Sequence, residues 1–507
     1  MAGFGWWWHK RYDSAMTQIN TNLYRAQQVR DMDSMAIHEL GIPGIELMER
    51  AGAAAFALLQ QQWPAARRIA VFCGSGNNGG DGYVIARLAW QQGISVSLYS
   101  LADPGKLTGD ALTAAQRLDE TDVEAIAWQP DTILQADVIV DALLGTGLKG
   151  EVSAHYRQVI ESINASGIPV LAVDIPSGLH ADTGTVLGLA VMAHHTISFI
   201  AMKQGLYTGA AADYVGELHF ADLAVPPEVL QAFEAPARAI NFASLAENLT
   251  PRCRASHKGD HGHVLIIGGD CGYSGAIRMA GEVALRSGAG LVSLATRVEH
   301  AALINIGRPE LMVHGVEQAA GLGQLVDKAD VVAIGPGLGQ SDWARQLFAC
   351  VLASKRPLVI DADALNLLAH NPQHRADWIL TPHPAEAARL LASTTTEINA
   401  DRFAAIEQIQ CRYGGSIVLK GAGSLIHSAQ GATAVCTDGN PGMAGGGMGD
   451  VLTGIIASLW AQGQSQCMAA MLGVCLHSAA ADLAAADGEK GLLATDLLPW
   501  IRQRVNQ

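Results

Sequence analysis

RIAVFCGSGNNGGDGYVIARLAWQQG, residues 68–93, decides the fold of the N-terminal half. After Arg68, residues 69–74 are apolar and rich in strand formers, as in a strand buried on both faces. Residues 83–93 change to the spacing of a helix, and ISVSLYS (94–100) returns to a strand. Between them lies GSGNNGGDG (74–82), a glycine-rich turn that carries GxGxxG at Gly74, Gly76 and Gly79. Strand, glycine turn, helix and strand together open a parallel, doubly wound sheet. The spacing matches a dinucleotide fingerprint, but such a site needs an acid at the end of the second strand, and Ser100 stands there. Ordinary NAD-dependent hydride transfer is therefore disfavoured. Asn77, Asn78 and Asp81 instead put amide and carboxylate oxygens beside Gly79 and Gly80, in a nest of phosphate size.

The same rhythm extends in both directions. Residues 136–147, 169–178 and 195–201 read as strands that run into glycine or proline turns. ADLAVPPEVLQAFEAPARA (221–239) breaks the alternation with prolines. Strands resume at 263–269, 291–296, 329–339, 357–366, 379–391 and 416–424. The expected fold is α/β with two domains: a Rossmann-like sheet over 23–225, a linker over 226–245 and a second α/β domain over 246–507. MAGFGWWWHKRYDSAM at the start, within residues 1–22, is expected to be a disordered extension, with Met16 as an alternative start.

A chain of 507 residues exceeds one hydrophobic core. A net charge of −15 argues against a general nucleic-acid or anionic-membrane binder, so an anionic ligand must meet local cations or backbone N–H groups. The cysteines at 73, 253, 271, 350, 411, 436, 467 and 475 contain no CxxC pair, which indicates neither a zinc site nor a disulfide framework. A cytoplasmic enzyme is expected, with no apolar run of membrane-spanning length and with no nucleic acid or membrane partner.

Open parallel sheets bind ligands at the carboxyl ends of their strands, and the polar motifs fall there. DALLGTGLKGE (141–151) ends a strand with Asp141 and continues into a glycine loop that carries Lys149. DIPSGLHADTG (174–184) ends another with Asp174 and Ser177. Asn78, Asp141 and Ser177 supply oxygen ligands with one formal negative charge, which suits a monovalent cation better than Mg²⁺. Turn chemistry alone would also place Asn, Asp and Ser at such positions. In the second half, LKGAGS (419–424) lacks Walker spacing, so phosphate binding there would rest on backbone amides and Lys420. His383 lies between two prolines in TPHPAE (381–386), either as a solvated turn residue or facing a substrate. NPGMAGGGMGD (440–450) precedes an apolar helix and has two readings. Asp450 is a helix N-cap, or the glycines bring backbone N–H groups and a helix N-terminus to a phosphate.

HKGDHGHVLIIGG (257–269), GYSGA (272–276), GPGLG (335–339), DADALN (361–366), TPHPAE, LKGAGS and NPGMAGGGMGD together make the second half resemble the ribokinase-like, ADP- or ATP-dependent NAD(P)H-hydrate dehydratases. The first half resembles the NAD(P)H-hydrate epimerase domain through GIELMERAG (44–52), GSGNNGGDG, DALLGTGLKG, DIPSGLHADTG and FIAMKQGL (199–206). Joined, they are similar to the bacterial bifunctional repair family over nearly the whole chain after about residue 23. The resemblance implies epimerisation of R and S hydrates of reduced NAD(P), and dehydration of the S hydrate with ADP and Mg²⁺ to give AMP and phosphate. Asp450 would be the general base; Ala276, Gly337, Gly339 and His383 would contact the hydrate; and Lys420, Gly421, Ala422, Gly423, Ser424 and Gly449 would hold the nucleotide. In the epimerase half Asn77, Asn78, Gly79, Gly80, Asp81, the loop Gly145, Thr146, Gly147, Leu148, Lys149, Gly150 and Glu151, Tyr156 and Asp174 would contact the hydrate. Potassium would sit on Asn78, Asp141 and Ser177. Asp174 would be the acid–base group with Lys149 assisting, and a homo-oligomer is expected. Met448 departs from related sequences, which often carry Thr there, and removes a possible hydroxyl contact.

Two other classes bear weighing. A vitamin-precursor kinase would share the Gly-Asp turn, but not GPGLG, DADALN and TPHPAE in this order fused to the first half. A non-catalytic binding module would have no need of Asp174, Lys149 and the three candidate cation ligands.

Overall fold

The computed structural model describes residues 21–101, 107–130 and 132–507, so the Trp-rich start lies outside the described residues. The chain forms two compact units that divide between Arg238 and Ala239. Asn22–Tyr24 is already a strand and pairs antiparallel with Ala237–Ile240 in the register Asn22↔Arg238 and Leu23↔Ala237. The paired residues Asn22, Leu23, Ala237 and Arg238 all lie in the first unit, and the divide falls inside the stretch read as a linker. The linker stretch itself holds the helices Pro227–Gln231 and Phe242–Leu245 as well as that strand.

The main sheet of the first unit runs Ala125–Ile126, Ser95–Ser100, Arg68–Cys73, Val138–Ala142, Val170–Val173, His195–Phe199, Glu217–Ala221, all neighbours parallel. The order reverses between Arg68–Cys73 and Val138–Ala142, which puts a ligand crevice at their carboxyl ends. Residues 138–142 are buried throughout, as the near-continuous apolar run predicts for a central parallel strand. Gly74 is glycine for a steric reason: a Cβ there would stand 1.8 Å from the carbonyl oxygen of Leu143 on the adjacent turn.

In the second unit the order is Met312–Gly315, Leu291–Thr296, His263–Ile267, Val331–Ile334, Leu358–Ile360, Trp378–Leu380, Ser416–Leu419, with Leu425–Ser428 and Thr433–Cys436 added antiparallel. The reversal falls between His263–Ile267 and Val331–Ile334. Met448–Ala461 packs on this sheet through Val451, Leu452, Ile455, Ile456 and Leu459, all buried. Met448 is buried in the same core, so the position that lacks the family's Thr hydroxyl is used for packing. Gln466–Ala484 continues into a short 3₁₀ turn, and this segment, to Asp487, is by length and composition apolar enough to cross a membrane, contrary to the sequence reading. Its apolar window is 72% buried inside the unit, as a core helix is.

Candidate functional site

In the first unit the helix Asn77–Gln91 begins inside the glycine turn, capped by Gly76, so Asn78 to Asp81 form its first turn. Gly79 permits this, since a Cβ there would meet the Gly74 carbonyl oxygen at 2.1 Å. The loop after Val138–Ala142 folds over this turn. A Cβ on Gly145 would stand 3.2 Å from Asn78 Cβ and 3.6 Å from Asp174 Oδ2, so three sequence motifs meet at one glycine. Asp141 is fully buried; its Oδ1 accepts from Ser177 Oγ at 2.6 Å and its Oδ2 from Ser177 N at 2.8 Å. Burial pushes the Asp141 carboxyl up to about 6 against the pull of those hydrogen bonds. Both amide atoms of Asn78 are buried without a hydrogen-bond partner. A buried, unsatisfied amide is costly in a finished core and suits a cation seat.

Asp174 adopts a left-handed backbone with φ 67°, a conformation that Asp tolerates and that turns its side chain out of the strand end. Its carboxylate pairs with Lys203, not Lys149. Lys203 is 1% exposed and also donates to Ser198 Oγ at 2.8 Å and to the Phe199 carbonyl at 3.3 Å. Lys149 is exposed on its loop, as are Gly147, Gly150 and Glu151. Thr146 is reached by Arg30, whose Nη1 donates to its carbonyl oxygen at 3.1 Å. Tyr156 hydrogen-bonds Ser75, and burial raises its phenol. Burial, then the charges of Asp174 and Asp33, push Asp81 well above the usual carboxylate range. Asp33 is itself raised by burial and by Asp110 and Asp174, so the helix Ala26–His38 brings a further acid to this site.

In the second unit Gly447, at φ 89°, is the N-cap of Met448–Ala461. Asp450 therefore lies inside the first turn, and the capping reading of this acid is corrected. Beneath it Lys420 Nζ donates to Asp361 Oδ1 at 2.8 Å and stands 3.7 Å from Glu386 Oε2. Asp361, 1% exposed, also accepts from Thr381 Oγ1 at 2.8 Å and Thr453 Oγ1 at 2.8 Å. Although burial opposes it, Lys420 and these hydroxyls hold the Asp361 carboxyl below its usual range. Burial and then the Asp361 charge push Asp450 up to about 7. Gly449 lies against both partners: a Cβ there would stand 3.4 Å from Lys420 Nζ and 3.6 Å from Asp361 Oδ2.

Gly337 packs on Ala276, with 3.1 Å to its Cβ from a Cβ built on the glycine. Gly339 N donates to Asp363 Oδ2 at 2.9 Å, and Asp363 adds to the charge raising Asp450. His383 caps Pro384–Leu391, its Nδ1 accepting from Ala385 N at 3.1 Å and Glu386 N at 3.3 Å. It is half-exposed, and burial followed by the Lys420 charge lowers its pKa. The Gly421–Ser424 loop closes on itself through Ser424 Oγ to the Gly421 carbonyl at 2.9 Å. Arg402 supports that loop from below, donating to the carbonyls of Leu419, Lys420 and Gly423 at 3.2, 3.4 and 3.3 Å. The outcome is a helix N-terminus, a part-buried ammonium and a carboxyl titrating near 7 converging on one space, which can hold an anion and accept a proton beside it.

Along 487 residues the chain is 50% identical to a bifunctional NAD(P)H-hydrate repair enzyme of Coxiella burnetii, covering 96% of this chain and 100% of that one. This chain belongs to the bifunctional NAD(P)H-hydrate repair enzymes. The counterpart in Escherichia coli is 46% identical over 493 residues, covering 96% of this chain and 95% of its own. A family model described as NAD(P)H-hydrate dehydratase matches 264–503, and one described as YjeF-related protein N-terminus matches 44–205. The chain also superposes on a ribokinase-like superfamily protein from Enterococcus faecalis with TM-score 0.51 and 34% identity, covering 54% of this chain and 97% of that one. The repair enzyme is thus bifunctional, with an epimerase and a dehydratase activity.

The sequence motifs of the repair enzyme do not single out Lys203, Asp361, Thr453, Glu386, Arg402 or Asp33. Lys203, Asp361 and Glu386 stand inside quoted motifs, FIAMKQGL, DADALN and TPHPAE, where a charge after an apolar strand is the available signal. Arg402 and Asp33 carry no local signal.

Gly447→Ala tests the anion site. Its positive φ and a Met279 Cε 2.7 Å from the added Cβ force the helix start to move. The expected result is dehydration lowered at least tenfold with the melting temperature reduced by no more than a few degrees, checked by steady-state kinetics and calorimetry. Unchanged kinetics would remove the helix start from the site.

Proposed function

We propose that the first unit interconverts the R and S hydrates of reduced NAD(P) and that the second dehydrates the S hydrate with ADP, giving AMP and phosphate. The observation that carries the reading is Asp450, its carboxyl raised to about 7, beside a glycine-lined helix N-terminus, with Lys420 held by Asp361 below. Hydroxide is a poor leaving group. Asp450 removes the proton of the ring hydroxyl as its oxygen attacks the β-phosphorus of ADP, and the bond to AMP breaks. Lys420 and the N–H groups around Gly447–Gly449 hold the charge on the moving phosphoryl group. The phosphorylated ring then expels phosphate and loses a ring proton, which restores the double bond. Mg²⁺ enters as part of the nucleotide substrate.

R and S hydrates differ at the hydroxyl-bearing carbon, so a bond to that carbon must break and re-form, and in this reading it is the C–O bond. Asp174 is the group that protonates the departing oxygen and deprotonates the returning one, with Lys203 holding its charge and orientation. Asn78, Asp141 and Ser177 would hold potassium, which would supply a fixed positive charge beside the substrate's phosphates. The orphaned Asn78 amide and the single formal charge support that assignment. KCl is expected to raise the melting temperature above that in choline chloride at equal ionic strength, and Asp141→Asn to abolish the difference. A difference that persists in the variant refutes the seat.

The whole reading is tested on a mixture of R and S NADH hydrates with Mg²⁺ and ADP, following the return of reduced-nicotinamide absorbance. Full recovery with one AMP per NADH supports both steps. Recovery of the S share alone refutes the epimerase assignment. No recovery with ADP intact refutes the dehydratase and favours a kinase acting on another alcohol.

A further inference from the structure

Away from either site, the last strand of the first unit's main sheet, Glu217–Ala221, pairs with His195–Phe199 in the register His195↔Glu217 and Ile197↔His219. Residues in register, and those two apart on one strand, point to the same face, so His195, Glu217 and His219 share one side of the sheet edge. His195 and Glu217 open their strands, whereas the epimerase residues gather at the opposite, carboxyl ends of the sheet.

The three side chains converge. His195 Nδ1 lies 2.9 Å from His219 Nε2 and 3.8 Å from Glu217 Oε2, while His219 Nε2 is 3.7 Å from Glu217 Oε1. Ligands about 2.0–2.2 Å from a tetrahedral zinc stand roughly 3.3–3.5 Å apart, and the three observed edges bracket that value. The imidazoles are 16% and 15% exposed, and the Trp63 ring packs edge-on to His195 at 5.1 Å. Glu217, 55% exposed, leaves a solvent-facing side for entry and for a fourth ligand. Burial, and for His195 also the neighbouring His219 and His194, lowers both imidazoles to about 4. One nitrogen of the pair donates and the other accepts, so the accepting nitrogen already offers its lone pair, and a metal needs a tautomer change in the donating ring only.

We propose that His195, Glu217 and His219 form a zinc site that clamps the edge strand to its neighbour, with water as the fourth ligand. Two nitrogens and a carboxylate select Zn²⁺ over Mg²⁺ or Ca²⁺, which take oxygen ligands. The competing account is a bare imidazole–imidazole hydrogen bond with Glu217 solvated.

The full chain, stripped with a chelator and desalted, is titrated with Zn²⁺ against a chromophoric competitor and separately with Co²⁺. The expected result is one equivalent of Zn²⁺, tetrahedral visible bands with Co²⁺, and a melting temperature raised by Zn²⁺. His219→Gln should weaken binding by more than about 100-fold, beyond the usual cost of losing an outer partner. Glu217→Gln, at an exposed position that leaves packing intact, should also weaken it and remove the thermal shift. Uptake equal in the wild-type chain and both variants, or no uptake by the wild-type chain, overturns the proposal and leaves the hydrogen-bonded pair.

Discussion

Asp450→Asn is expected to lower dehydration of the S hydrate by roughly 10²–10⁴-fold, the scale of a lost general base, while epimerisation continues. Asn keeps the shape and the helix start and removes only proton acceptance. The pH profile follows from the same group. A carboxyl raised to about 7 is half protonated at that pH, and only its ionised form takes a proton. The wild-type rate should therefore climb nearly tenfold per pH unit well below 7 and level off above it. Asp361→Asn removes the charge that, after burial, contributes most to raising Asp450, so the acid limb should move to lower pH. A limb that stays near 7 in this variant would mean that Asp361 does not tune the base. Equal loss of both activities in Asp450→Asn would defeat the assignment of two separate sites.

Asp174→Asn is expected to remove epimerisation on a similar scale, about 10²–10⁴-fold, with dehydration of pure S hydrate unchanged. Its partner gives a sharper test. Lys203 is buried against Asp174, and removing one member of a buried pair costs about 3–5 kcal/mol. Lys203→Met should therefore lose epimerisation and lower the melting temperature of the first unit together. Lys149→Ala, at an exposed loop position, should do neither to that degree. Measured stereochemical exchange of R into S by chromatography separates these outcomes. A large loss in Lys149→Ala with Lys203→Met active would return the assisting role to the loop.

Much of the candidate site is visible in the linear order of residues. Glycine turns at the ends of buried strands mark where a parallel sheet opens, so the chain order alone gathers Asn78, Asp141, Asp174 and Ser177. The same reasoning reaches Lys420, whereas Ala276, Gly337 and Gly339 enter through the family resemblance. It fails where role depends on a partner far along the chain. Nothing in the linear order shows that the Lys420 ammonium is held by Asp361, 59 residues away. Of the two readings of Asp450, the helix cap falls because the left-handed Gly447 takes that position. His383, which could have been a solvated turn residue, caps a helix with its ring nitrogen.

Hydrophobic period and turn chemistry are local properties, so the linear chain already carries the α/β class, the two halves and the strand-end clusters. Which ammonium faces which carboxylate is settled only by folding, and hence that Lys203 rather than Lys149 serves Asp174. Folding likewise brings the titration of Asp450 near neutrality. Desolvation and Coulomb energy depend on what surrounds a charge in space, and those surroundings come from strands and helices scattered along the whole length of each unit.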